Sequence, residues 1–271
     1  MSYNLEAIES RRMKEMKNST RTRQQSGHFH VYFRGNNKFA VFYNEADYIV
    51  FLQKFNLVAK EYNTKTCAFA IMDNHVHLHL ITEDLTEMMR AFLIQYSRWY
   101  NKSKGINGKL FSTPFSSSPI YSSLLVEDNL LYILSNPIKS YICNNPEEYK
   151  WSSYHFYFNN KRNPLSQFID IDTTIVENIF GNRKALDNAI LSYNADITEN
   201  KGSYWSFTPD FEIIKHMNSI LNGRNLYSLD KDEMMFLLLS LRKDKGATFR
   251  QIASITHGSY DEIRRLFCHP K

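Results

Sequence analysis

His75, His77 and His79 stand at alternate positions in the run Met72-Asp-Asn-His-Val-His-Leu-His-Leu-Ile81. The alternation reads as a β-strand, whose successive side chains point to opposite faces, so the three imidazoles share one face while Val76, Leu78 and Leu80 share the other. Two neutral imidazoles at i and i+2 can ligate one divalent cation, whereas a purely structural role would require three polar rings to be buried with all their hydrogen bonds met. We read His75 and His77 as the functional pair and His79 as the ring best suited to a structural place. A second constellation lies in Leu130-Leu-Tyr-Ile-Leu-Ser-Asn-Pro-Ile-Lys-Ser140. Tyr132 and Asn136 are four apart, on one face of a helix, which would bring a phenol and an amide oxygen to one point.

Alternating histidines serve two chemistries. In the histidine triad of nucleotide hydrolases they hold and attack a phosphate, and the spacing of His75, His77 and His79 fits. In the HUH nucleases two histidines around a bulky apolar residue bind a metal that polarises a DNA phosphate for attack by a tyrosine, a role Tyr132 could fill. A third reading, a catalytically silent DNA-binding regulator, needs neither.

These residues must be positioned by elements that the periodicity predicts in order. His28 to Phe33 alternates as a strand. Glu45 to Glu61 has the spacing of an amphipathic helix, with Tyr48, Phe51, Leu52, Phe55 and Val58 on one side. Thr66 to Met72 and His75 to Ile81 are two strands around an Asp73-Asn74 turn and pair as a hairpin. A helix follows from about Thr86 to Lys102, then a Gly/Ser/Pro-rich loop over 105–123. A further helix, about Leu124 to Ser135, is expected to stop at Asn136-Pro137, because proline lacks the N–H and its ring crowds the preceding turn. The run 159–163 reads as a linker and the rest as helical. An apolar helix from about Asp230 to Arg242, then capping boxes at Thr248/Gln251 and Ser259/Glu262 around a His257-Gly258 turn, make a helix-turn-helix candidate.

The 271-residue chain, 43% hydrophobic and 23% charged, has ordinary globular composition and can bury a core without disulfides or a structural metal. Cys67, Cys143 and Cys268 form no paired framework, which suits a reducing, cytoplasmic home, and no apolar run approaches membrane-spanning length. Of the +5 formal charge, residues 1–26 carry six basic against three acidic groups and 242–271 seven against three, around a near-neutral middle. Basic ends suit a polyanionic partner.

Taken together, FHVYFRGNNK, FYNEADYIVFL, MDNHVHLHLI, LLYILSNPIKS and EEYKWSSY, in this order over residues 28–158, resemble the REP-associated tyrosine transposases, single-tyrosine members of the HUH superfamily. The resemblance implies an α+β fold, an antiparallel sheet with helices packed on it like the ferredoxin-like or RRM-like HUH core, followed by the all-helical C-terminal region. It implies metal ligands at His75, His77 and Asn136 for Mg²⁺ or Mn²⁺, a nucleophile at Tyr132, and a 5′-phosphotyrosine intermediate on single-stranded or hairpin DNA, such as palindromic repeat ends. The loop Gly108–Phe115 departs from the family in carrying neither the usual Gln nor Arg.

The expected organisation is a basic arm over 1–26, the catalytic domain over 27–158, a helical connection over 159–225 and the helix-turn-helix candidate over 226–271. Candidate DNA contacts are Arg34, Arg250, Tyr260, Arg264 and Arg265, with Arg11, Arg12, Lys14, Lys17, Arg21 and Arg23 on the arm.

Overall fold

The structure, a computed structural model, describes residues 23–112, 115–158, 163–198 and 208–268. Five of the six arm residues, Arg11, Arg12, Lys14, Lys17 and Arg21, lie outside the described residues. Arg23 lies within them, its guanidinium 3.9 Å from the centroid of the Phe115 ring.

The chain runs Gly27–Arg34 (β1), Glu45–Glu61 (α1), Lys65–Ile71 (β2), His75–Thr82 (β3), Leu85–Lys104 (α2) and Ser116–Ile120 (β4). The four strands form one sheet in the order β2-β3-β1-β4, with every neighbouring pair antiparallel. β1 and β2 therefore run in the same direction with β3 between them, the split β-α-β arrangement of ferredoxin-like folds. The expected α+β class is what the chain adopts.

Period-two patterning gives the sheet two different faces. Phe29, Val31, Phe33, Phe69, Val76, Leu78 and Leu80 pack against α1 and α2 in one continuous core. The start of α1 is fixed by a capping box between Asn44 and Asp47, and Asp47 also holds Lys104 of α2 in a buried ion pair at 2.8 Å.

The opposite face carries the histidines and is covered by Ser123–Lys139 (α3). Small residues let that helix approach: Ala68 and Ala70 of β2, paired with His79 and His77, pack beneath Leu130, Ile133 and Leu134. Thr174–Phe180 (α4) and Arg183–Thr198 (α5) extend this layer through Val176, Phe180, Leu186 and Ile190. The free edge of β2 is covered by 151–157, where Ala70 bridges Ser152 and the Tyr157 hydroxyl donates to Cys67 O at 2.8 Å.

Two expectations need correction. The stretch 105–123, read as loop, contains β4. Ser and Pro are poor strand formers, but β4 is an edge strand paired only with β1, the place in a sheet where proline is tolerated. Helix α3 does not stop at Ser135 but continues through Pro137 to Lys139. The missing N–H falls in the last turn and costs one bond, and burial of Leu134, Ser135, Asn136 and Pro137 outweighs it.

A third core joins Asp210–Leu221 (α6), Lys231–Lys245 (α7), Phe249–Thr256 (α8) and Tyr260–Cys268 (α9). The Thr248/Gln251 capping box forms, and His257 turns the chain between α8 and α9 at φ 55°. This helical unit does not stand free. Ala40 belongs to its core, the Tyr43 hydroxyl donates to Ile255 O (2.7 Å), and Ser254 Oγ donates to Lys38 O (2.8 Å). His257 Nε2 donates to Ala40 O (2.7 Å), so its Nδ1 accepts from the Tyr227 hydroxyl (2.6 Å), and its ring stacks on Phe39. The stretch expected as a connection over 159–225 is thus divided, α4 and α5 packing with α3 and α6 with the terminal helices. No helix among the described residues is long and apolar enough to cross a membrane.

Candidate active site

The register of β1 against β3 sets Arg34 opposite His75, Tyr32 opposite His77 and His30 opposite His79. Opposed residues share a face, so His28, His30, Tyr32 and Arg34 join His75, His77 and His79 on one surface. Five of the nine histidines in the chain meet there.

Four of these rings form two pairs across the strands: His30 Nε2 lies 3.0 Å from His77 Nδ1, and His28 Nδ1 lies 3.3 Å from His79 Nε2. Exposure rises along β3, from His79 at 0% through His77 at 3% to the half-buried His75, so the surface opens at the His75 end. His79 Nδ1 and Asn129 Oδ1 are both buried with no hydrogen-bond partner.

His75 Nδ1 is 2.7 Å from Asn74 Oδ1. The Asn74 amide is oriented by its Nδ2, which donates to Lys38 O at 3.2 Å, so its oxygen faces the ring and His75 Nδ1 must be the donor. His75 Nε2 is therefore left with a bare lone pair, the form a metal ligand needs. For His77, the same state at Nε2 requires that Nδ1–H donate to His30.

Burial, and for His77 the neighbouring His75 and His30 as well, keeps these rings neutral. His30, His75 and His79 are held down to about 4 and His77 to about 2. Arg34 contributes to the depression at His75. The imidazoles are thus ligands or acceptors, not cations, at neutral pH.

Helix α3 carries the tyrosine to this surface. The Tyr132 ring sits edge-on to His77 (centroids 5.3 Å apart) and to His30 (5.4 Å). Lys139 Nζ lies 4.6 Å from the centre of the same ring. One turn on, Asn136 Nδ2 donates to Tyr132 O at 2.8 Å, which leaves Asn136 Oδ1 available as an acceptor or ligand. Burial and the nearby Tyr32 raise the Tyr132 pKa above the usual value for a phenol, while Asn136 works in the opposite direction.

Of the residues expected at the site, His75, His77 and Tyr132 converge, with Asn136 one turn further along α3. Among the described residues no group of three or more His, Cys, Asp or Glu is arranged to hold a metal ion, so any ion held by the two histidines would need a further donor of another residue type. An amide oxygen such as that of Asn136 fits this donor set. Of the expected DNA contacts, Arg34, Arg250 and Tyr260 line one cleft, while Arg264 and Arg265 are exposed on α9 outside it. Sequence reasoning passed over His28 and His30, although their alternation with Phe29 and Val31 placed them on a single strand face.

Residues 23–145 match the family model described as IS200-like transposase, which bears out the resemblance read in the sequence. A solved structure of a REP-associated tyrosine transposase bound to a REP hairpin aligns with a TM-score of 0.45 at 14% identity, covering 58% of this chain and 93% of that one. No curated protein matches.

Proposed function

We propose that this chain, which carries an IS200-like transposase region over residues 23–145, cleaves and rejoins single-stranded or hairpin DNA through a covalent bond to Tyr132. The observation that supports this most directly is the packing of the Tyr132 ring against His77 and His30 on the histidine face. A tyrosine held against one candidate ligand, His77, and the ring that orients it, His30, sets a nucleophile beside a ligand set as phosphodiester transfer requires.

His75 Nε2, His77 Nε2 and Asn136 Oδ1 would hold Mg²⁺ or Mn²⁺. When bound, that ion supplies Lewis-acid polarisation of the scissile phosphate. The residues of the chain do the rest. Asn74 fixes the His75 tautomer, His30 orients His77, and α3 holds the phenol in place. Tyr132 Oη attacks phosphorus, the bond to the 3′-oxygen breaks, and a 5′-phosphotyrosine forms with a free 3′-hydroxyl. The phenol proton leaves and the departing oxygen gains one. The bond to tyrosine conserves the phosphodiester energy, so rejoining needs no nucleotide.

The histidine-triad hydrolase reading fares worse, because His79 would have to reach substrate and it is wholly buried beside His28. The test is to incubate the protein with labelled single-stranded DNA rich in hairpins, with Mn²⁺ or with chelator. A denaturant-stable protein–DNA adduct that needs metal and disappears in Tyr132→Phe is the expected result. Nucleotide turnover that survives Tyr132→Phe and is lost in His77→Ala would overturn the reading, as would DNA binding with no adduct under any condition.

A further inference from the structure

The docking of the helical unit creates a cleft of about 770 Å³ between the end of β1 and the α8–α9 turn. Its walls carry three cations, Arg34, Lys38 and Arg250, against one carboxylate, Asp210, which Gln251 engages at 2.8 Å. Arg34 Nε is buried and has no hydrogen-bond partner among the described residues, and no carboxylate lies within salt-bridge distance of its guanidinium. Arg34 as a whole is half-buried and attracts the Asp210 carboxylate at longer range, but its sealed Nε–H has no acceptor, a costly arrangement that an anionic ligand would relieve. Tyr260, 40% exposed at the first turn of α9, offers an aromatic face at the rim. Backbone-tracking cations beside an exposed ring are the combination that recognises single-stranded nucleic acid.

The cleft is also joined to the candidate active site. Asn74 lines it and accepts from His75 Nδ1, while Arg34 is the cross-strand partner of His75. A strand lying in the cleft therefore leads towards the histidine face.

We propose that this cleft binds a single-stranded DNA segment flanking the scissile phosphate, with Arg34 and Arg250 on its phosphodiesters and a base stacked on Tyr260. The terminal helices then act as one wall of the strand channel, and the α8–α9 pair does not serve as a separate reader of duplex DNA. The proposal rests on the DNA-transferase reading for the identity of the strand, but binding can be measured without any chemistry.

The experiment is fluorescence anisotropy of the full chain with a labelled oligothymidine of about 16 nucleotides, and with a duplex of the same length, both in chelator. Tyr260→Ala should weaken oligothymidine binding roughly 5- to 100-fold, and Tyr260→Phe should retain it. Arg250→Ala should reduce the salt dependence of the same affinity by about one phosphate contact. Both cleft residues are at the surface, and melting curves matching the parent establish that the variants fold. Parent-like oligothymidine binding by both cleft variants overturns the proposal, and so does loss of duplex affinity alone. Metal-dependent adduct formation that both cleft variants leave intact at limiting DNA would also overturn it, with the transferase reading still standing. Cleft-dependent binding by a protein that forms no adduct would uphold it while that reading fails.

Discussion

His30 Nε2 lies 3.0 Å from His77 Nδ1, joining β1 to β3 across 47 residues of sequence. This contact selects which nitrogen of His77 faces the site: ligation through Nε2 requires that Nδ1 carry the proton and that His30 accept it. On the proposed reading of His77 as a ligand, His30 is a positioning residue, the kind of partner whose loss weakens metal affinity by roughly 10- to 100-fold.

His30→Ala should therefore lower Mn²⁺ affinity by about that factor, read by titration calorimetry on the protein without DNA. Tyr132→Phe, in the same titration, should bind Mn²⁺ as the parent does. Equal affinities for parent and His30→Ala would show that His77 needs no help from His30.

The His28–His79 pair should behave differently. His79 is wholly buried, so His79→Ala leaves a cavity and unpairs His28, at a cost of roughly 2–3 kcal/mol in unfolding free energy. Adduct formation below the lowered melting temperature should stay close to that of the parent, since no contact with substrate is lost. A selective loss of chemistry in a folded variant would place His79 in the mechanism.

Protonation of the buried rings sets an acid limit on stability. An unfolded histidine takes up its proton near pH 6.5, whereas His30, His75 and His79 do so at about 4 when folded. Between those values the unfolded chain binds more protons, so the contribution of these rings to stability is full above about pH 6.5 and falls as pH drops towards 4. The urea midpoint should decline over that window. Asp73 works in the opposite sense: burial and the Asp210 carboxylate push it up to about 7. Its folded form holds a proton that the unfolded chain has released, so its contribution is present at low pH and lost as pH rises through 7. Asp73→Asn should accordingly be more stable than the parent at pH 8, by on the order of a few kcal/mol, and nearly equal to it at about pH 4. Parallel urea curves for the two proteins at every pH would contradict this.

Gly35 closes β1 where the sheet meets the cleft, its N–H donating to Asn74 O at 2.8 Å. A Cβ there would stand 2.1 Å from Phe39 O and 2.9 Å from Val41 Cγ2. The obstacle is space and not backbone angle, since its φ is −52°. Gly35→Ala should destabilise by about 1–3 kcal/mol, seen as a lower melting temperature. It should also disturb the Asn74–His75 bond, seen as weaker Mn²⁺ binding.

Much of the architecture was legible because it depends on local periodicity. The extent of α1 follows from an apolar stripe, and the β2–β3 hairpin from a turn pair between two strand-like runs. The same alternation placed His75, His77 and His79 on one face, and the i, i+4 rule placed Tyr132 beside Asn136. Where a segment is held by its neighbours, local reading failed. The serines and proline of β4 form a strand because β1 offers an unpaired edge, and Pro137 stays helical because its turn is buried.

The sequence by itself determined which side chains lie together on each strand and helix, since backbone geometry fixes the period at two or 3.6 residues. Only the tertiary structure decided that β1 lies next to β3, and hence that His30 meets His77 and Arg34 meets His75. It alone decided that the terminal helices dock on Lys38, Ala40 and Tyr43 and enclose a cleft. Those contacts join residues tens to hundreds of positions apart, and they follow from the best joint burial of several amphipathic faces, which no local pattern encodes.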